Sequence, residues 1–121
     1  ALSASSHKLA NLICLVDINN QQADGHSSQV MPFEPLSDKW AAFGWHVQRV
    51  NGNDLPAVLA AFDTARSLTA PQPRVILLDT KMGKGVSFLE AREKNHFIRV
   101  EANEWAQAIA ELDASYQGGA Q

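Results

Sequence analysis

Two continuous apolar runs, residues 12–16 and 75–78, each stop at an aspartate, Asp17 and Asp79. A run without polar alternation leaves no face for water, so each reads as a strand buried on both sides, as in a parallel sheet covered by helices. Parallel strands need long crossovers, and the residues between the runs supply them. Leu36, Trp40 and Phe43 recur at helical spacing over residues 37–43, with Gly44 where a left-handed cap is needed. Residues 45–50 mix aromatic and branched side chains with His46, Gln48 and Arg49, which suits a strand at a sheet edge.

The next helix is the most fully marked. Asn53 or Asp54 can cap it, Pro56 fits its first turn, and Leu55, Val58, Leu59, Phe62 and Ala65 form one apolar stripe. Trp105, Ala108, Ile109 and Leu112 define a final amphipathic helix, and residues 115–121 read as a frayed tail. The alternation predicts an α/β fold, a three-layer, mainly parallel sheet of at least three strands with helices on both faces. One domain over residues 1–121, with no second domain or linker, accommodates it.

Composition narrows the function classes. An apolar share of 45% in 121 residues supports a core, and a net charge of -3 lacks the basic stripe that would announce nucleic acid or an anionic membrane. Neither is an expected partner. Cys14 is the single cysteine, so a disulfide framework and a thiol pair for metal are excluded, and a reducing cytoplasm is the expected setting. The start lacks the pattern of a signal peptide, and no run approaches the length of a membrane span.

In parallel α/β sheets ligands bind beyond the strands' carboxyl ends, which directs attention to DINNQQADG and DTKMGKG. Mg²⁺ prefers hard oxygen ligands and commonly bridges protein oxygens to phosphates. Asn19 can offer a side-chain carbonyl and Gln21 a backbone carbonyl, although residue types alone leave this loop readable as a simple turn. In KMGKG, Gly83 and Gly85 free backbone amides while Lys81 and Lys84 add charge, as a phosphate cradle would, or as a glycine turn with solvated lysines would. His96, on a polar segment, can donate to a phosphate or sit on the surface. No histidine has metal-ligand spacing to another or to Cys14. Trp40, Trp45 and Trp105 fit packed faces better than a stacking platform.

Taken in order, LICLVDINNQQADG, EPLSDKWAAFGWHVQRVNGND and PRVILLDTKMGKGVSFLE resemble the second half of the diphosphate-binding domain of transketolases, in the form found in bacterial split transketolases. The resemblance runs over residues 3–112 and implies thiamine diphosphate and Mg²⁺ as cofactors. It places the family's metal-binding Asn at Asn19, the metal-binding carbonyl at Gln21, the histidine near the diphosphate at His96, and a position close to the cofactor at Asp17. The ending EAREKNHF departs from full-length transketolases and is closer to the small-subunit type.

No GDG occurs among the 121 residues. The resemblance therefore implies that the carboxylate metal ligand, the strand bearing it and the pyrimidine-binding domain with its activating glutamate lie outside this sequence. The chain then reads as the C-terminal part of a diphosphate-binding domain, inactive alone. Its expected partners are a pyrimidine-binding domain or C-terminal transketolase subunit, with sugar phosphates as substrates of the intact enzyme. A missing neighbouring strand is expected to expose apolar faces of residues 12–16 and 75–78 and to favour a homo-oligomer. The EPL..KW.AFGW pattern favours transketolase over a deoxyxylulose-phosphate synthase, and a non-catalytic α/β interaction module is the alternative from another class.

Overall fold

Val75, Ile76 and Leu77 are wholly buried because the strand that carries them is paired on both sides. The computed structural model describes residues 1–93 and 95–118. In chain order the elements are α1 (Leu2–Ser6), β1 (Ile13–Ile18), β2 (Gln21–Gln22), β3 (Gly25–His26), α2 (Ser27–Val30), α3 (Leu36–Ala42), β4 (His46–Asn51), α4 (Leu55–Ser67), β5 (Arg74–Asp79), α5 (Ser87–Ala91) and α6 (Ala102–Gly118). They form two compact units, one of residues 1–19 and 33–80, the other of residues 20–32 and 81–121.

The first unit holds a parallel sheet in the order β1-β5-β4. Because side chains alternate across a strand, its two faces carry different cores. On one face Ile18, Trp45, Val75 and Leu77 are packed with Ala4 of α1 and Leu36 and Trp40 of α3. On the other, Ile76 meets Ala61 and Ala65 of α4. Helices thus cover both faces, giving the three-layer α/β arrangement predicted. Local signals act as read: the Asp54 carboxylate accepts from the Ala57 amide at 3.2 Å to cap α4, and Gly44 adopts a φ of +82° after α3.

Three expectations change. Among the described residues the run at 12–16 belongs to an edge strand rather than one buried on both faces, and Leu12 and Leu15 are exposed as a missing neighbour implies. The exposure expected of residues 75–78 is not found, because β5 is paired on both sides and Val75 to Leu77 are wholly buried. The stripe of α4 shifts: Ala65 and Phe62 pack on the core as predicted, joined by the buried Ala61, while Leu55 and Leu59 are exposed, because small residues let the helix approach the sheet closely. Trp45 is buried and meets Trp40 edge to face at 4.7 Å, but Trp105 is 57% exposed.

The stretch read as a loop over residues 19–35 is less irregular than that, since within the second unit β2 and β3 pair as a short antiparallel hairpin leading into α2. At the start of α6, Glu104 accepts from the Glu101 amide at 2.9 Å, half of a capping box. The predicted tail is helical through Gly118, and the rest of that prediction, residues 119–121, lies outside the described residues.

Replacing a wholly buried leucine leaves a cavity as well as losing its transfer energy. Leu77→Ala is expected to lower the unfolding free energy by about 2–5 kcal/mol and Leu15→Ala by under about 1 kcal/mol. Urea denaturation of both variants checks the burial difference, and equal losses would contradict the edge position of β1.

Candidate functional site

Parallel pairing in register brings the ends of β1, β4 and β5 to one edge, with Ile18 and Asn51 both opposite Asp79. Just past these ends the chain places Asn19, Gly52 and Thr80. The Thr80 amide donates to the Ile18 carbonyl at 3.1 Å and its hydroxyl donates to the Asp17 carboxylate. Asp17 is thus oriented by a neighbouring strand. Asn19, half-buried, follows directly on the buried Ile18.

Gly52 is the residue that permits this closeness. Its amide donates to the Asp79 carbonyl at 2.8 Å, and a Cβ there would lie 2.6 Å from Thr80 Cγ2 and 2.8 Å from Leu78 Cβ. Beside it, the Arg49 guanidinium donates through Nε and Nη2 to both Asp79 oxygens at 2.8 Å, and through Nη2 to Glu34 at 2.8 Å. The paired carboxylates raise the Arg49 pKa, while Arg49, followed by the Leu36 amide, holds the Glu34 carboxyl below its usual range.

The second unit carries the other two predicted residues. The Gln21 side chain donates to the Arg92 carbonyl at 3.3 Å and accepts from the Asn95 amide at 3.2 Å. This ties the hairpin to the segment bearing His96, whose exposed ring meets Phe97 edge to face at 4.4 Å. Gln21 and His96 are therefore brought near one another through Asn95, and Asp17 and Asn19 share the sheet edge of the first unit.

The glycine loop holds an anion of its own. The Glu90 carboxylate accepts from the Gly85 amide at 2.9 Å and pairs with Lys81 at 3.1 Å and Lys84 at 3.3 Å. Those contacts, the Gly85 amide foremost, bring the Glu90 pKa down to about 2. Gly83, at a φ of +73°, faces Leu89 so closely that a Cβ would lie 2.5 Å from Leu89 Cβ. The KMGKG loop, read as a phosphate cradle or a glycine turn, thus turns its Gly85 amide, Lys81 and Lys84 to Glu90.

Among the described residues no group of three or more His, Cys, Asp or Glu side chains could hold a metal ion. At the end of β1 the Asn19 side chain is a neutral amide, whose oxygen is the hard donor type that suits a cation balanced by a diphosphate.

A family model described as the thiamine diphosphate binding domain of transketolase matches residues 1–116. The chain belongs to the transketolase family. An uncharacterized transketolase family protein of Sinorhizobium fredii is 61% identical over 114 residues, covering 94% of this chain and 41% of the relative. A 6-deoxy-6-sulfo-D-fructose transketolase subunit of a Clostridium species is 39% identical over 113 residues, covering 93% of this chain and 41% of the relative. The chain thus spans about two fifths of the length of these relatives. Among solved structures, the transketolase of Leishmania mexicana aligns with a TM-score of 0.62 at 23% identity, covering 97% of this chain and 21% of that one. A Pichia stipitis transketolase variant in complex with fructose-6-phosphate aligns with a TM-score of 0.63 at 20% identity, covering 96% and 20%. The transketolase fold accounts for the layered sheet and for the carboxyl-end loops.

Two predictions follow from this geometry. Gly52→Ala is expected to destabilise by about 1–3 kcal/mol by forcing Thr80 and Leu78 apart, read by urea denaturation, and an unchanged midpoint would contradict the close approach. Glu90 has a lowered pKa, so its contacts are complete above the unfolded value of about 4.3 and are lost as pH falls through about 2. The Gly85 amide resonance should follow that acid transition, and Glu90→Gln should abolish it.

Proposed function

We propose that this chain forms the C-terminal part of the diphosphate-binding domain of a transketolase-type transferase. The observation that supports this most is the match over residues 1–116 together with Asn19 leaving β1 at the sheet's carboxyl edge. In this reading the Asn19 side-chain oxygen and the Gln21 main-chain carbonyl hold Mg²⁺ against the diphosphate. Asp17, oriented by Thr80, lies close to the cofactor. His96, exposed on its loop, donates a hydrogen bond to a phosphate oxygen.

Thiamine diphosphate, when bound, supplies the thiazolium carbon on which a two-carbon ketol unit is carried between sugar phosphates. This chain's part is to bind and orient. The Gln21 amide, fixed between Arg92 and Asn95, keeps the carbonyl loop and the His96 segment in one arrangement. Relatives named as transketolase subunits make a separate C-terminal subunit the expected partner, one that brings the pyrimidine-binding domain. A homo-oligomer of such pairs, acting in the cytoplasm, completes the reading; none of the described helices is long and apolar enough to cross a membrane.

The test uses the complete enzyme with its partner. Asn19→Ala should weaken Mg²⁺-dependent thiamine diphosphate binding by about tenfold or more, equivalent to about 1.4 kcal/mol, with the unfolding midpoint kept. His96→Ala should weaken it by about 1 kcal/mol, for one lost charge-assisted hydrogen bond. Calorimetric titration reads both, and unchanged affinity in Asn19→Ala would overturn the metal assignment.

A further inference from the structure

Phe97 is 90% exposed, the most exposed of the large apolar side chains among the described residues. Its backbone is left-handed as well, at a φ of +60°. In that region a Cβ crowds the carbonyl that follows it, and a ring left in water gains nothing from burial. Both effects oppose a phenylalanine at this position.

What the ring does touch is His96, with centroids 4.4 Å apart and planes at 77°, so the edge of one ring meets the face of the other. Along an extended chain successive side chains point to opposite sides, whereas the left-handed turn at Phe97 sets its ring beside the imidazole. The residue before His96 is fixed too. The Asn95 amide donates to Gln21 Oε1 at 3.2 Å, and its Nδ2 donates to the Leu89 carbonyl. His96 thus stands between an anchored residue and a strained one. The torsion that turns an imidazole about its Cβ–Cγ bond is broad, so an exposed ring has no strong orientation of its own. An aromatic neighbour held edge to face supplies one.

We propose that Phe97 is a positioning residue, whose left-handed backbone and ring hold the His96 imidazole in the orientation from which it donates to the diphosphate. This rests on the reading of His96 given above. Sparsely populated backbone conformations persist where they pre-organise a ligand-binding group, which accounts for a strained and exposed aromatic residue next to His96.

Calorimetric titration of thiamine diphosphate with Mg²⁺ into the complete enzyme with its partner tests it, using Phe97→Leu, Phe97→Tyr, His96→Ala and the double variant Phe97→Leu/His96→Ala. Because Phe97 is exposed, Phe97→Leu should keep the unfolding midpoint while binding about two- to fivefold more weakly. Phe97→Tyr keeps the ring and should bind as the native enzyme does. Once His96 is alanine, Phe97→Leu should add no further loss. Native affinity in Phe97→Leu would overturn the proposal, as would a loss of equal size with and without His96, or weaker subunit association with cofactor affinity unchanged. Unchanged affinity in His96→Ala would overturn the reading of His96 and this proposal with it, and that single variant tells the two failures apart.

Discussion

The insertion of β5 between β1 and β4 is the constraint on which the rest depends. Both of its hydrogen-bonding edges are used, and its side chains alternate into the core beneath α1 and α3 and the core beneath α4. Parallel register on both sides then fixes which residues meet at each end of the strands. Asp17, Asn51 and Asp79 gather at one end, and the entry to β1 meets Arg74 at the other. Loss of β5 would remove the core and both edges at once.

Charge follows the same plan. Away from the buried middle of the sheet, cations and carboxylates are matched locally, as Arg49 is with Asp79 and Glu34, and as Lys81 and Lys84 are with Glu90. Partly exposed pairs of this kind add little stability, yet they fix the geometry of loops. Arg49 holds the end of β5 against β4 and the start of α3, and Glu90 holds the glycine loop closed. Arg74 stands apart because its Nε and Nη1 are buried without a hydrogen-bond partner among the described residues.

Much of the first unit was legible in the sequence because local pattern and tertiary fate agree there. The run from Val75 ends up in the middle of the sheet, Asp54 caps a helix, and Gly44 takes its left-handed turn. The run before Asp17 has the same apolar character, but periodicity says nothing about how many neighbours a strand acquires, and β1 has one among the described residues. In α4 the stripe held at Ala65 and Phe62, whereas Leu55 and Leu59 stay exposed and Ala61, outside the stripe, is buried against the sheet. The candidate site was legible only through family resemblance. Asn, Gln and His in loops carry no local signature, whereas Thr80 on Asp17, Gln21 on Asn95 and Glu90 on the glycine loop are contacts that only folding creates.

The claim that the β1 edge presents Asn19 to a metal-diphosphate ligand is tested most directly by following the Asn19 side-chain amide by NMR in the complete enzyme. Thiamine diphosphate is added first without Mg²⁺ and then with it. The account predicts a saturable shift of that amide that requires both. Cofactor binding that leaves the Asn19 amide unmoved would contradict it.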